Sequence, residues 1–350
     1  MNTEIIKIKK LDTEAITNLK RVAEVIKNGG LVIFPTETVY GLGADGTNPL
    51  AAMKIYEAKG RPSDNPLIIH IASPEDAENY TYTNDTYYAL AKAFMPGPIT
   101  VILKAKPIIP SETRASLPTV AVRCPSNEIA NALIKLSGVP IAAPSANLSG
   151  SPSPTKAAHV IDDMMGRVDV IIDGDDASFG LESTIVKIEE NGDLTLLRPG
   201  KITVEDLKKV ANNVKIADAV TDKLKDGETV LSPGMKYRHY APKAPVHLLD
   251  GDFDKIIPYI KEKSKTQKIA VLCYSNDVKT LKSQAPDAYV YEFGEKENEL
   301  MQAHLLFDIL RDADKHCFDE IYAPLPRTEG VGLALYNRMI RAAAYHIIRL

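Results

Sequence analysis

The sequence Phe34-Pro35-Thr36-Glu37-Thr38-Val39-Tyr40-Gly41-Leu42-Gly43 is the most informative part of this 350-residue chain. It starts at the end of a short apolar segment, residues 31–34, which is typical of a buried strand. Pro35 ends that strand, and the hydroxyl-bearing residues after it are predicted to form a loop held by a rigid element, where binding groups are common. Lys59-Gly60-Arg61-Pro62 and Asn65-Pro66-Leu67-Ile68-Ile69-His70 follow within about one helix and one strand. We therefore interpret this region as an active site.

Length and composition predict a soluble globular protein of two domains. The chain is longer than one hydrophobic core usually supports, and 45% of its residues are hydrophobic and 25% charged. The net charge of −4 argues against a strongly basic surface, so strong direct nucleic-acid binding is not expected. Three widely spaced cysteines without a CxxC pair fit a reducing cytoplasm and argue against a structural zinc site. No segment approaches about 18 consecutive apolar residues, so we predict a cytoplasmic protein without a membrane span.

The first part of the chain has the pattern of a mixed α/β domain. Residues 12–28 have helical spacing of apolar residues and end at Gly29-Gly30, and a second helix is predicted from Asn48-Pro49 to Lys59. The stretch from Pro35 to Gly43 is predicted to be a loop, and Asn191-Gly192 a hairpin turn. Further helices are predicted at 85–94, 127–136 and 155–165, with another opening at Thr203, and strands at 4–8, 31–34, 67–71, 99–103, 120–124, 139–142, 168–172, 184–188 and 194–197.

The last part of the chain alternates between strand and helix patterns, which predicts a small parallel sheet with crossover helices. Its predicted strands begin at Val246 and continue at 269–274, 289–293 and 318–323, with the longer helices at 297–313 and 331–348. We place the domains at 1–215 and 245–350. The linker, 216–244, contains Ser-Pro-Gly-Met-Lys-Tyr-Arg-His-Tyr-Ala-Pro (232–242), which is too basic and aromatic for a flexible spacer. We predict that it acts as a lid.

Lys59, Arg61, Asn65 and His70 are the first candidates for binding an anion. A lysine and an arginine at a helix end are most often solvated. Asn65 and His70 lie on the same return path, however, and phosphate binding requires cations together with amide or hydroxyl donors from several elements. His70 lies between two isoleucines and is equally compatible with a buried core histidine.

A second group of candidates follows later strands. Arg123 ends an apolar strand and would by default extend into solvent, but Thr119 is on the same face and can share a site with it. Ser145 and Asn147 follow a buried strand, where small hydroxyl and amide groups are suited to phosphate binding. The other candidates in this domain are Ser153, Ser183 and Arg198.

Several common sites are absent from the sequence. Gly41 to Gly46 matches GxGxxG, but six residues separate the strand from the first glycine, whereas a dinucleotide fingerprint starts directly after its strand. GxxxxGK[ST], GxSxG and HExxH do not occur, which argues against a P-loop, a serine hydrolase and a zinc protease.

Seven motifs together resemble the YrdC-type threonylcarbamoyl-AMP synthases. They are PTETVYGL (35–42), KGRP (59–62), NPLIIH (65–70), SLPTVAVRCP (116–125), APSANLSG (143–150), ESTI (182–185) and SPGMKYRHYAP (232–242). The resemblance covers about residues 10–200, and the rest resembles the longer form of the family. It implies a twisted mixed-sheet catalytic domain with a deep cavity, followed by a small Rossmann-like domain.

The resemblance also implies a reaction. L-threonine, bicarbonate and ATP would give threonylcarbamoyl-AMP and pyrophosphate, and a downstream transferase complex would use this product to modify a tRNA adenosine beside the anticodon. Mg²⁺ would accompany the nucleotide, without a dedicated protein metal site. The implied threonine-binding residues are Thr38, His70, Arg123, Ala143 and Ser183. The implied ATP-binding residues are Arg61, Asn65, Thr119, Ser145, Asn147, Ser153, Arg198 and Tyr237, and Lys59 and Arg61 are the implied catalytic cations.

Two other functions stay open at this point. An RNA-binding module would use the same cations to hold an RNA backbone without chemistry. A transferase that uses carbamoyl phosphate would share the carbamate chemistry but would not require threonine.

Overall fold

The computed structural model describes residues 2–222 and 240–350. These residues form two compact units, one of residues 2–149 with 153–222 and the other of residues 150–152 with 240–350. Tyr237 and most of the predicted linker and lid, residues 223–239, lie outside the described residues.

A twelve-stranded mixed sheet is the framework of the first unit. The strands are β1 (Glu4–Lys7), β2 (Val32–Phe34), β3 (Gly41–Asp45), β4 (Ile68–His70), β5 (Thr81–Tyr82), β6 (Ile99–Ala105), β7 (Thr119–Arg123), β8 (Ile141–Ala142), β9 (Val170–Asp173), β10 (Thr184–Ile188), β11 (Leu194–Arg198) and β12 (Val214–Ile216). Their order is β1-β9-β2-β3-β8-β4-β7-β6-β10-β11-β12, with β5 paired to β6. Parallel and antiparallel pairs both occur, so the predicted mixed sheet is confirmed.

The helices of this unit begin and end largely where the sequence predicts. They are α1 (Thr13–Lys27), α2 (Pro49–Lys59), α3 (Ala77–Tyr80), α4 (Asp85–Phe94), α5 (Ser111–Arg114), α6 (Glu128–Ser137), α7 (Ala157–Met164) and α8 (Val204–Leu207). The helix predicted from Thr203 is therefore a single turn. Asn48 caps α2 by accepting bonds from the N–H groups of Leu50 and Ala51, and Gly60 ends the helix with a left-handed φ of 60°. These two caps fix Lys59 as the last helical residue.

One core cluster joins α1 and α6 to the sheet. Leu19, Val22 and Ile26 form the buried face of α1 and pack in the same cluster as Leu133 of α6 and Phe34 of β2. Burial of each such aliphatic side chain contributes about 1.5–3 kcal/mol. Because Leu19 is fully buried, Leu19→Ala is expected to destabilise this unit by about 2–5 kcal/mol.

Strand β3 corrects the prediction that residues 35–43 are all loop. The sequence did not predict this strand because it contains Gly41 and Gly43, and glycine has a low strand propensity. A Cβ atom on Gly43 would lie 2.6 Å from side-chain atoms of both Phe34 and Ile141, so the glycine permits close packing against the neighbouring strands. The GxGxxG match therefore lies mostly within a strand, which agrees with its rejection as a dinucleotide fingerprint. Strand β12 was not predicted from the sequence either.

A five-stranded parallel sheet forms the second unit, as predicted for a small Rossmann-like domain. The strands are β13 (Val246–Asp250), β14 (Ile269–Cys273), β15 (Tyr289–Glu292), β16 (Glu320–Pro324) and β17 (Ile347–Arg349), in the order β15-β14-β16-β13-β17. The helices are α9 (Phe253–Ser264), α10 (Val278–Gln284), α11 (Glu299–His316) and α12 (Gly332–Ala342). All the strand pairs of this sheet are parallel.

The prediction of one long helix over residues 331–348 is wrong. Helix α12 ends at Ala342, and Ala344 and Tyr345 have left-handed φ angles of 48° and 66°, which turn the chain into strand β17. Neither residue is a glycine, so the usual sequence signal for a left-handed helix end is missing.

No helix within the described ranges is long and apolar enough to cross a membrane.

Candidate active site

The loop between β2 and β3 is held in place by backbone bonds to two other segments of the chain. Tyr40 N–H donates to the carbonyl of Pro154 at 2.9 Å, and Gly180 N–H donates to the carbonyl of Thr38 at 3.2 Å. The Thr36 and Thr38 hydroxyls lie 2.8 Å apart, and Thr38 is fully buried. This predicted threonine-binding residue therefore has a fixed position inside the first unit.

Lys59 and Arg61 flank the end of α2 and are both buried. Lys59 Nζ donates to the carbonyls of Ser145 and Asn147 at 2.5 and 2.6 Å. Arg61 Nη2 donates to the carbonyl of Asn65 at 3.0 Å. Lys59 thus positions the loop that carries the Ser-Ala-Asn sequence, and Arg61 is fixed by the turn that leads to β4.

Asn65 has an unusual environment for an amide. Its side chain is fully buried, and neither its Nδ2 nor its Oδ1 has a hydrogen-bond partner. The backbone of the same residue is well held, because its carbonyl accepts bonds from Arg61 and from the Tyr56 hydroxyl at 3.1 Å. A buried amide without partners costs about 1–3 kcal/mol for each group, which is typical of a position reserved for a ligand.

Strands β4 and β7 place His70 directly opposite Arg123. His70 Nδ1 donates to the carbonyl of Ile141 at 3.2 Å, and burial, together with the nearby Arg123 charge, lowers the pKa of His70 to about 3. The imidazole is therefore neutral at physiological pH. Its contacts show that His70 is a buried, bonded histidine that also faces a predicted site residue.

Arg123 is buried in an ion pair and does not extend into solvent. Its Nη2 atom lies 2.8 Å from Glu37 Oε1, with 5% and 13% of the two side chains exposed. Arg123 Nε and Glu37 Oε2 have no hydrogen-bond partner. Both ends of this pair can therefore bond a polar ligand.

The segment after β8 brings Ala143, Ser145 and Asn147 beside the first loop. Ala143 N–H donates to the carbonyl of Ile68 at 2.8 Å, and Ser145 forms a bridge with Gly41. Ser145 Oγ donates to Asn147 Oδ1 at 2.6 Å. The side chains of Ser145 and Asn147, both predicted to contact ATP, are therefore bonded to each other. Lys59 bonds the backbone carbonyls of the same two residues.

Ser183 and Arg198 meet at the β10–β11 pair. Arg198 Nε and Nη2 donate to the carbonyl and hydroxyl of Ser183 at 3.0 and 3.1 Å. The Ser183 hydroxyl also lies 2.8 Å from that of Thr100. Beside them, the Ser153 hydroxyl donates to Glu182 in a short bond.

Within residues 2–222 and 240–350, Thr119 is connected to the other candidates through its strand. It is half-buried at the start of β7, on the same face as Arg123 four residues later. The contacts above connect the other described candidates in groups: Lys59 with Ser145 and Asn147, Arg61 with Asn65, His70 with Arg123, and Arg198 with Ser183.

The candidate residues and their bonded partners include buried groups of both charge signs. They are Lys59, Arg61, Arg123 and Arg198 with Glu37 and Glu182, all of them largely shielded from water. These buried cations suit an anionic ligand, because a fixed positive charge stabilises negative charge most effectively where water does not screen it.

Glu37, Thr100 and Glu182 are contacts that the sequence analysis missed as site residues. A buried arginine requires a carboxylate or a ligand, so Arg123 was the signal for an acidic partner nearby. Glu37 and Glu182 both lie within motifs that were recognised, next to residues that were chosen.

Two family models cover most of the chain. Residues 24–200 match the Sua5_yciO_yrdC family, described as telomere recombination, and residues 202–344 match the threonylcarbamoyl-AMP synthase C-terminal domain. A threonylcarbamoyl-AMP synthase from Pyrococcus abyssi is 44% identical over 338 residues, and one from Bacillus subtilis is 42% identical over 334. These alignments cover 95% of this chain and 95% and 94% of the two relatives.

Solved structures agree with these matches. The crystal structure of P. abyssi Sua5 complexed with L-threonine has a TM-score of 0.89 and 40% identity, with full coverage of both chains. A variant of P. abyssi Sua5 with two alanine substitutions gives a TM-score of 0.90 and 41% identity over 99% of this chain and 98% of its own. The predicted fold class and family are confirmed, and the chain belongs to the threonylcarbamoyl-AMP synthase family.

Proposed function

We propose that the protein catalyses the reaction of its family, in which L-threonine, bicarbonate and ATP give threonylcarbamoyl-AMP and pyrophosphate. The similarity to threonylcarbamoyl-AMP synthases along nearly the whole chain supports this proposal. The observation in the site that carries it is the Asn65 amide, which is fully buried and unbonded beside the Arg61 guanidinium. A ligand with phosphate oxygens and ring nitrogens would bond this amide and lie beside the guanidinium charge.

The reaction has two steps. The threonine amine attacks bicarbonate to give a carbamate and water, and a carbamate oxygen then attacks the α-phosphorus of ATP as pyrophosphate leaves. Both steps involve anionic species and require no covalent enzyme nucleophile. Fixed cations stabilise such charge most effectively in a buried site, where water does not screen them. The buried side chains of Lys59, Arg61 and Arg123 fit this requirement.

The threonine site is proposed to lie around Thr38, His70, Arg123, Ala143 and Ser183. Arg123 has a free Nε for the amino-acid carboxylate, although its Nη2 is held by Glu37. His70 is neutral, so it does not compete with Arg123 for the carboxylate of the amino acid. Hydroxyls on Thr38 and Ser183 are fixed by neighbouring hydroxyls, which suits recognition of a small polar side chain.

The nucleotide site is proposed to include Lys59, Arg61, Asn65, Thr119, Ser145, Asn147, Ser153 and Arg198; Tyr237, which the resemblance also assigns to ATP, lies outside the described residues. Two contacts support this proposal: Lys59 bonds the loop that carries Ser145 and Asn147, and Arg61 bonds the turn at Asn65. Mg²⁺ is proposed to arrive with the triphosphate, whose oxygens provide its preferred ligands. The product would pass to a tRNA-modifying transferase.

A pyrophosphate-release assay tests the proposal. Release is expected only when threonine, bicarbonate and ATP are all present, and Arg61→Met is expected to lose it. Arg21→Gln is the matched control, because Arg21 is half-exposed and pairs with Glu4 away from the site. Release without threonine, or normal release by Arg61→Met, would contradict the proposal.

The same assay separates the two alternatives. An RNA-binding module would give no pyrophosphate and would bind RNA with a salt dependence set by several phosphate contacts. A transferase that uses carbamoyl phosphate would turn over without bicarbonate. The family membership favours the synthase over both.

A further inference from the structure

The second unit contains a cavity of about 180 Å³ at the carboxyl ends of its parallel strands. Strands β14, β16 and β13 are neighbours in that order, and residues at or just after the end of each line the cavity. From β14 the chain continues to β15 on one side, and from β16 it continues to β17 on the other. In open parallel sheets, ligands bind where such connections diverge. The cavity therefore occupies the place that the topology favours for a ligand.

Size restricts the ligand. The cavity is smaller than the usual 300–1,000 Å³ range of drug-sized sites. A compact molecule, well below the size of a nucleotide, fits it best.

The inner wall of the cavity is apolar. It is lined by Leu249, Phe253, Ile256, Val271, Leu281 and Leu325. All of these side chains except Leu325 belong to or pack against the hydrophobic core cluster of this unit, so the wall is part of a packed interior. An apolar group of the ligand is expected to occupy this side, because its burial is the main source of favourable free energy.

The mouth of the cavity carries charges of both signs. Asp250 and Asp277 supply carboxylates, and Lys296 supplies an ammonium group. Asp277 precedes α10 but makes no side-chain cap bond, and Asp250 is 3.6 Å from Arg349, too far for a strong hydrogen bond. Both carboxylates thus retain capacity to accept bonds from a ligand.

The first turn of helix α9 also offers backbone N–H groups that can bond an acceptor atom of a ligand. Its N-cap residue, Asp252, makes no side-chain bond to the first turn of this twelve-residue helix, and Phe253 of that turn lines the cavity. The N–H groups of an uncapped first turn favour a negatively charged ligand atom. Lys296 lines the same cavity as Phe253, so both can contribute to binding one carboxylate.

We propose that this cavity binds a small α-amino acid with an aliphatic side chain. The aliphatic side chain would lie against the apolar wall, the ammonium group against Asp277, and the carboxylate against Lys296 and the start of α9. A multivalent anion such as phosphate is disfavoured, because the carboxylates of Asp250 and Asp277 line the mouth of the cavity. A purely apolar ligand would leave the charges at the mouth without partners.

Methyl-detected NMR of the full chain, with labelled Ile, Leu and Val methyl groups, tests the proposal directly. L-leucine is the probe, because it lacks the hydroxyl of the proposed substrate. It is expected to shift the methyl resonances of Leu249, Ile256 and Leu281, and isocaproate and isoamylamine, which each lack one of its charges, are expected to bind at least tenfold more weakly.

Two variants examine the charges, and one serves as the control. Lys296→Gln and Asp277→Asn are each expected to weaken leucine binding at least tenfold. Lys279→Gln, an exposed change on α10 outside the cavity, is expected to bind as the wild type does. All three variants are expected to release pyrophosphate normally without leucine, so this test is separate from that of the proposed synthase activity.

Three results would overturn the proposal. These are unchanged cavity methyl resonances up to the solubility limit of leucine, equal binding of isocaproate or isoamylamine, and cavity shifts caused by inorganic phosphate in place of leucine.

Discussion

Replacing Arg123 with methionine is expected to destabilise the first unit mainly through the charge that it leaves behind. Arg123 and Glu37 form a 2.8 Å ion pair, and only 5% and 13% of their side chains are exposed. Methionine fills most of the space of arginine but cannot compensate the carboxylate. Glu37 Oε2 already lacks a partner, so both oxygens of Glu37 would be left without one.

The magnitude follows from this geometry. Breaking a buried ion pair by removing one partner costs about 3–5 kcal/mol, most of which is the cost of the uncompensated charge. The double variant Arg123→Met/Glu37→Gln removes that charge as well. It is therefore expected to be more stable than Arg123→Met alone by about 1 kcal/mol or more, since contacting residues couple by about 0.5–3 kcal/mol.

Hydrogen–deuterium exchange of the peptides that contain β4 and β7 measures the opening free energy of this part of the sheet. Wild type, the two single variants and the double variant form a complete double-mutant cycle at one pH. Additivity of the two single changes within about 0.5 kcal/mol would refute the reasoning, because it would show that the two charges do not interact.

Three further predictions concern the site. Asn65→Ala is expected to reduce pyrophosphate release at least tenfold while circular dichroism stays unchanged, because Asn65 makes no side-chain bond that supports the fold; normal release would remove Asn65 from the site. Valine is expected to replace threonine poorly, and serine better than valine, since a site that bonds a hydroxyl rejects the analogue without it; equal pyrophosphate release with valine and threonine would show that no group recognises the hydroxyl. The pKa of His70 falls from 6.5 to about 3 on folding, so between these values the unfolded chain binds the additional proton. The stability from this group is then complete above about pH 6.5 and declines by up to about 1.4 kcal/mol per pH unit as the pH falls towards 3; thermal denaturation at several pH values should show a flatter acid limb for His70→Gln, and identical limbs would contradict this.

The sequence predicted elements where local signals agree with tertiary packing. Helix α2 illustrates this, because its Asn48 cap, first-turn proline and Gly60 end are all local features, and they fixed Lys59 at the helix end. The β10–β11 hairpin followed in the same way from Asn191-Gly192. The parallel sheet of the second unit followed from the alternation of short apolar strands with longer helices.

The missed elements depend on contacts far away in the sequence. Gly41 and Gly43 have low strand propensity, and their strand exists because the flanking strands approach too closely for any side chain at Gly43. The end of α12 depends on two left-handed residues that are not glycine. Such positions are determined by tertiary packing, which overrides local propensity.

The same distinction applies to the site. Motif residues were recognisable because loops after strands carry unusual combinations of hydroxyl, amide and cationic groups. The partners of these residues could not be recognised in the same way. Glu37, for example, pairs with Arg123 although 86 positions separate them in the sequence. The requirement of a buried arginine for a carboxylate predicts that a partner exists but does not identify it.

Burial separates two kinds of residue in this site. Arg123, Arg198 and Lys59 each bond protein groups, so they hold the fold together and are expected to destabilise it when replaced. Asn65 differs because its amide is buried without partners, and only its backbone is bonded. An unbonded buried group lowers the stability of the ligand-free protein, and a ligand that bonds only to the folded state restores it in proportion to the logarithm of its concentration above Kd. Replacing Asn65 is therefore expected to reduce nucleotide binding without reducing the stability of the fold. At this position the requirements of binding and of folding are opposed most clearly.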